Sequence, residues 1–151
     1  NIFLRSLWYF NSIIFFESKI PIPQFFKKLI LKIFGSKLGK GVVIKPSVKI
    51  KYPWQLEIGD NSWIGERVWI DNVATIKIGS NVCISQGVML ESGNHNFKSE
   101  GFDLLLEPII IENNVWIGCN CLVLPATVIK KGSIFFGGTV INKKTKPNSK
   151  V

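Results

Sequence analysis

The sequence predicts an all-β solenoid: a parallel β-helix of about five triangular coils, with a helical segment before it and one long loop leaving it. Three observations predict this fold. From Leu38 to Ile141 an aliphatic or aromatic residue returns every six positions. Four positions after most of these stands a small or β-branched residue. Every interruption of the period falls at the same point, after a third member of the series.

Residues 1–35 do not follow the period and are read as an N-terminal helical segment, with the solenoid over 36–151. The run "NIFLRSLWYFNSIIFF" is apolar over 16 positions but contains Arg5 and Asn11. A membrane-spanning helix takes about 20 apolar residues, so this run is short for one. Pro21 and Pro23 separate it from "QFFKKLILKIFG". There Phe25, Phe26, Leu29, Ile30, Ile33 and Phe34 recur at helical spacing, Lys27, Lys28 and Lys32 flank them, and Gly35 is a stop signal. Two readings stand. An apolar helix face caps the end of a solenoid and hides its core. A basic, aromatic-rich helix instead lies on an anionic membrane surface, which would make residues 1–34 a peripheral membrane contact.

The coils come next. The inward series runs Leu38, Ile44, Ile50; Ile58, Ile64, Ile70; Ile78, Ile84, Leu90; Ile111, Ile117, Val123; and Ile129, Phe135, Ile141. A helix repeats its faces near 3.6 residues and cannot use a period of six. A six-residue period fits a coil with three short strands per turn, about 18 residues in all. Residues such as Val42, Val48, Ser62, Val68, Ala74, Val82 and Val88 then fill the corners. Glycine, as at Gly39, Gly59, Gly65, Gly79 and Gly118 directly after inward residues, and Asn or Asp beside the corners are expected to permit turns with φ > 0. Ile58 and Ile78 each arrive two positions late, Ile111 fifteen late, and Ile129 on time. All these insertions therefore leave one edge of the triangle.

The longest of them is "ESGNHNFKSEGFDLLLEP", residues 91–108, which holds the single histidine of the chain, His95. A lone histidine is more often structural than catalytic. A long loop in a compact repeat is usually functional, and His95 stands where this loop departs. Stacking of the coils puts Ile70 under Leu90, hence Asp71 under Glu91 and Asn72 under Ser92.

Composition narrows the class. The net charge of +9, from 19 Lys and Arg against 10 Asp and Glu, favours anionic partners. A hydrophobic content of 46% with 19% charged residues excludes a disordered chain. Cys83, Cys119 and Cys121 are odd in number, and a C-x-C pair without a nearby histidine is a poor zinc motif. They read as small core or face residues of a reducing compartment, and no metal is expected. The lysines are scattered through turns and ends without interleaved aromatics, which speaks against nucleic acid. No signal peptide with a cleavage site is visible. The chain begins at Asn1 without Met and stops at Val151 in mid-pattern, which reads as part of a longer protein.

The stretch "FGSKLGKGVVIKPSVKIKYPWQLEIGDNSWIGERVWIDNVATIKIGSNVCISQGVML" resembles the hexapeptide-repeat, left-handed parallel β-helix acyltransferases. Within them it is most similar to the colanic-acid-type acetyltransferases of exopolysaccharide gene clusters, and "KYPW" and "NVCISQG" are its more specific parts. The left hand comes from this resemblance, because the general rule for parallel crossovers is right-handed. "SGNHNF" matches the place of the family's catalytic histidine, which implies His95 as general base. That role suits imidazole, whose ordinary pKa of about 6.5 lets the neutral ring take a hydroxyl proton near pH 7. The implied reaction is direct acetyl transfer from acetyl-CoA to a sugar hydroxyl of cell-surface polysaccharide synthesis, without an acyl-enzyme. Asp71, Glu91 and Asn94 are candidates to orient the ring, and polar turn residues facing water account for them equally well.

The resemblance also implies a cofactor groove between subunits of a homotrimer. Cys119 and Gly137, one coil apart, match its small backbone-contact positions. "GGTVINK" is similar to the family's "GAGSVVTK", which assigns Asn142 and Lys143 to the cofactor, with Asn standing for Thr. Lys143, Lys144 and Lys146 would meet its phosphates, or else form a solvated tail. The family's "GNPAK"-like ending would follow "KPNSKV", so part of that site lies beyond the solenoid read here. The sugar-contacting Asn of the maltose/galactoside branch would fall near Gly65, so that contact is not carried over. The implied acceptor is a sugar or lipid-linked saccharide, and the implied place is the cytoplasm, at the inner face of the plasma membrane. Two alternatives remain open: a different small acceptor such as an antibiotic, or a non-catalytic β-helix scaffold.

Overall fold

The computed structural model describes residues 2–151. It is a parallel β-helix of five coils with three five-stranded faces. The first face pairs strands ending at Leu38, Ile58, Ile78, Ile111 and Ile129. The second pairs those ending at Ile44, Ile64, Ile84, Ile117 and Phe135. The third stacks Ile50, Ile70, Leu90, Val123 and Ile141. Each member of the six-residue series is thus in register with its counterpart one coil away. Nearly all are fully buried, so the repeat is the core. Burying one such side chain stabilises by roughly 1.5–3 kcal/mol, which fixes the register of every strand.

The corners differ from expectation in two ways. Positive φ does not fall at the glycines directly after the inward residues. It falls three positions after them, at Gly41, Ser47, Asn61, Arg67, Asn81, Gly87, Asn114, Asn120, Ala126, Gly132 and Gly138. The glycines next to the inward residues serve close approach instead. A Cβ on Gly118 would lie 2.7 Å from both Gly137 N and Phe135 O of the next coil. At the third edge the corner is filled not by Ala74, which is half-buried, but by residues two before the next inward residue, Leu56, Ile76 and Ile109, whereas Thr127, where nothing is inserted, fills its corner as expected. The two-residue insertions move the chain outward there, so the larger side chain comes later.

Two helices cover the first coil. α1 spans Ile2–Ser12, a π-helical turn follows over Ile13–Glu17, and α2 spans Gln24–Ile33. The open edge of a first coil presents unpaired backbone groups, which must find partners. Gln24 supplies both kinds: its Oε1 accepts from Ile44 N at 2.8 Å and its Nε2 donates to Ile44 O at 3.0 Å. Lys27 Nζ donates to Ile44 O and Lys45 O, each at 3.1 Å. Trp8 Nε1 donates to Ile50 O at 2.8 Å. Trp8, Phe16, Leu31 and Phe34 close the apolar end of the core.

α2 therefore buries a different face from the one its spacing suggests. Ile30 and Phe34 are buried, but with Lys27 and Leu31, while Phe25, Phe26, Leu29 and Ile33 face outward. The reason is backbone satisfaction: only a long polar side chain can serve the exposed strand edge, so Lys27 is drawn in. Gly35 ends the helix at φ +93°, with Ser36 N donating to Leu31 O at 2.9 Å.

Candidate active site

The long insertion is an ordered antiparallel hairpin. Gly93–His95 pairs with Leu104–Leu106, and His95 is opposite Leu104. It leaves the third edge above two buried polar residues that replace ladder contacts where the chain is displaced. Asn72 Oδ1 accepts from Tyr52 N at 3.0 Å, and its Nδ2 donates to Tyr52 O at 2.5 Å. One coil on, Ser92 Oγ accepts from Ala74 N at 2.9 Å and lies 3.0 Å from Asp71 O. The hairpin thus leaves from a fixed base.

His95 Nδ1 lies 2.7 Å from the carbonyl oxygen of Phe102, across the hairpin. A carbonyl can only accept, so Nδ1 carries a hydrogen, and in the neutral ring the lone pair is then on Nε2. Phe102 stands at φ +48°, a left-handed conformation that turns its carbonyl toward the ring. The turn is held by Ser99, whose Oγ accepts from Asp103 N at 3.0 Å. The orienting partner is therefore a backbone carbonyl.

Of the three candidates from the sequence, Asn94 lies in the hairpin, and Asp71 and Glu91 belong to the third face from which it leaves. Asn94 Oδ1 accepts from the backbone N of His95 at 2.8 Å and acts on the main chain, not the ring. Asp71 lies directly under Glu91 in the third face. Its Oδ1 is 2.9 Å from Lys51 Nζ, an ion contact whose approach is too oblique for a hydrogen bond. Sequence reasoning missed Phe102, because nothing in "KSEGFD" marks a left-handed Phe.

A cavity of about 540 Å³ opens between α1 and the third face. Tyr9, Phe10, Tyr52 and Trp69 form its aromatic walls, and Arg5, Lys49 and Lys51 its basic ones, with Glu17 the one acid in the lining. Arg5 stacks over Tyr52 at 5.0 Å and Lys49 over Trp69 at 5.2 Å. Lys51 thus joins this cavity to Asp71, two residues of one chain that the sequence separates by a whole coil. The aromatic residues were visible in the sequence, but their convergence was not.

The predicted cofactor residues occupy two different edges. Cys119 and Gly137 stack at the second edge, where Gly138 N donates to Cys119 O at 2.8 Å. A Cβ on Gly137 would lie 2.9 Å from Cys119 Sγ, and one on Gly138 would meet nothing within 4 Å. The strip is therefore narrow, open and lined by backbone. Asn142 and Lys143 follow Ile141 at the third edge and are exposed, with Lys143 at φ +69°. Within one chain the third face separates His95 from the Cys119–Gly137 strip. Among the described residues, no group of three or more His, Cys, Asp or Glu side chains could hold a metal ion.

No protein-family model matches the chain. It is 35% identical over 129 residues to the "Putative colanic acid biosynthesis acetyltransferase WcaF" of Escherichia coli (strain K12), covering 85% of this chain and 71% of that one. The chain belongs to the hexapeptide-repeat acetyltransferase family. This acetyltransferase is also 30% identical over 125 residues to the galactoside O-acetyltransferase of Escherichia coli (strain K12), covering 81% of this chain and 61% of that one. Its fold matches the hexapeptide-repeat-containing acetyltransferase VCA0836 of Vibrio cholerae with a TM-score of 0.89 at 22% identity, over 99% of this chain and 85% of the other. That Vibrio protein has also been solved in complex with acetyl coenzyme A, and this structure matches with a TM-score of 0.88 at 21% identity over 99% of this chain and 82% of the other.

Proposed function

We propose that this acetyltransferase moves an acetyl group from acetyl-CoA to a saccharide hydroxyl in cell-surface polysaccharide synthesis, with His95 Nε2 as general base. The observation that carries the reading is the Phe102 carbonyl on Nδ1, which leaves Nε2 as the accepting nitrogen. The acceptor hydroxyl gives its proton to Nε2 as its oxygen bonds to the thioester carbon. The carbon–sulfur bond breaks, and the proton on Nε2 passes to the departing sulfur. Both bonds and the proton then balance, with no nucleophile needed from the protein.

The aromatic and basic cavity beside α1 is the acceptor's place in this reading. Flat rings such as Trp69 and Tyr52 suit a sugar face, and Arg5, Lys49 and Lys51 suit an anionic saccharide or the diphosphate of a lipid-linked one. The names of the relatives, colanic acid and galactoside acetyltransferases, support a saccharide acceptor. The Cys119–Gly137 strip has the open, small-residue character that a pantetheine arm needs, and Asn142 and Lys143 would lie toward the nucleotide. Because the third face divides that strip from His95, one complete site takes both edges from two subunits. A closed homotrimer satisfies this three times over. The reaction belongs in the cytoplasm, where acetyl-CoA is available.

The test is CoA release from acetyl-CoA by the full chain against a panel of sugars and lipid-linked saccharides, with His95→Ala beside it. Acceptor-dependent release that disappears in the variant, with CoA binding and solution mass unchanged, supports the reading. Equal release by both proteins would sink the role of His95. Absence of CoA binding would leave a scaffold.

A further inference from the structure

The cap has a second apolar face that nothing in the chain covers. On α2, Phe25, Phe26, Leu29 and Ile33 occupy one stripe of about 100°, opposite the buried stripe of Lys27, Leu31 and Phe34. Phe25 is 64% exposed and Ile33 72%. A helix covering a core normally turns polar side chains outward. This one turns phenylalanine, leucine and isoleucine outward, with the Phe25 and Phe26 rings 5.1 Å apart. A contiguous apolar surface of this kind marks a contact site.

Charge decides between occupants. Residues 1–35 contain five basic residues against one acid, Glu17, and with Lys27 buried four of them, Arg5, Lys19, Lys28 and Lys32, remain for the surface. Glu17 is already engaged, accepting from Ser12 Oγ at 2.9 Å. Lys28 and Lys32 border the apolar stripe on one side. With Lys40 they line a groove of about 780 Å³ whose apolar wall is Phe25, Leu29 and Leu38, and whose one acid, Asp60, accepts from Lys40 N at 2.6 Å. Two copies joined through this face would set the three lysines of each against those of the other, with one Asp60 per copy to offset them. An anionic bilayer surface offers both an apolar interior for the stripe and phosphates for the lysines. No described helix is long and apolar enough to cross a membrane.

We propose that the cap docks the enzyme on an anionic phospholipid surface, inserting Phe25, Phe26, Leu29 and Ile33 with Lys28, Lys32 and Lys40 on headgroup phosphates. The buried face of the same helix closes the solenoid. Capping and membrane contact are therefore carried by opposite faces of one helix. This assignment is independent of the acetyl-transfer reading.

The test is co-sedimentation of the full chain with vesicles of phosphatidylcholine alone and of phosphatidylcholine with phosphatidylglycerol, at low and high salt. Circular dichroism melting and solution mass serve as controls. The wild type should partition onto the anionic vesicles and release at high salt. Phe25→Ser with Ile33→Ser should abolish partition, and Lys28→Gln with Lys32→Gln should lower it about tenfold or more. Both pairs are surface changes and should keep the wild-type melting temperature and mass. Failure of the folded wild type to bind anionic vesicles overturns the proposal. So does equal binding to neutral vesicles without salt dependence. A wild-type oligomer that falls apart in Phe25→Ser with Ile33→Ser, without vesicle binding, assigns the face to a second copy and also overturns it.

Discussion

The imidazole of His95 is held by the carbonyl of Phe102, 2.7 Å from Nδ1. Both residues belong to one hairpin, and the tautomer is set by a main-chain atom. Ring orientation therefore depends on the hairpin turn and not on a neighbouring acid. In the proposed reaction, His95→Ala should lower kcat by about 10²–10⁴, the usual worth of a positioned base. Ser99→Ala loosens the turn and should lower kcat several-fold with little change in the KM for acetyl-CoA. Asp71→Asn should affect kcat less than Ser99→Ala does. Steady-state kinetics on the three variants check this order. A larger loss from Asp71→Asn would return the orienting role to the carboxylate.

Trp69 stands in the wall of the cavity beside α1, with the Lys49 ammonium over its ring. Trp69→Ala should raise the acceptor KM about tenfold or more while leaving the KM for acetyl-CoA within about twofold, since a stacked aromatic contributes about 1–3 kcal/mol by area alone. Initial-rate measurements with each substrate varied in turn check the split. A change confined to acetyl-CoA would move the acceptor elsewhere.

Lys27 is fully buried, and burial holds its pKa below the usual 10.5. The unfolded chain then binds more protons than the fold between that lowered value and 10.5, so stability gains from this residue as pH rises through that window. Lys27→Met leaves the Ile44 and Lys45 carbonyls short of a donor and should cost about 1–3 kcal/mol. The deficit of the variant should widen from neutral pH toward pH 10. Paired urea melts at several pH values decide; a constant deficit would refute the titration.

Glu112 accepts from Lys130 Nζ, and also from Lys131 N at 2.9 Å. These contacts, that of Lys130 first, hold its pKa below the usual 4.5. Its contribution to stability is present above 4.5 and is lost as pH falls through the lowered value. Glu112→Gln should flatten that part of the acid limb in thermal melts.

Gly118 has no room for a methyl group, since a Cβ would sit 2.7 Å from backbone atoms of the next coil. Gly118→Ala should destabilise by about 1–3 kcal/mol through displaced coil stacking. Gly138→Ala, at φ +80° but in open space, should cost less. Denaturant midpoints of the two variants check the ranking; the reverse order would mean that turn strain outweighs coil spacing.

The sequence by itself determined the solenoid. A period of six with breaks at one edge admits only one stacking, because each inward residue must meet its counterpart to exclude water, as Ile58, Ile78 and Ile111 do. It also placed His95 on the one long excursion. Corner chemistry was legible in part: asparagines beside the corners, Asn61, Asn81, Asn114 and Asn120, do take φ > 0, but the glycines directly after inward residues do not, since coil spacing and turn geometry both select for Gly and only coordinates separate them. The tertiary structure alone decided three further things. It turned Lys27 inward, because an open strand edge needs donors that spacing does not register. It chose the Phe102 carbonyl over the acidic candidates, because main-chain atoms carry no sequence signal. And it gathered Arg5, Tyr9, Tyr52 and Trp69 around one cavity, because only the packing of α1 on the third face brings those distant residues together.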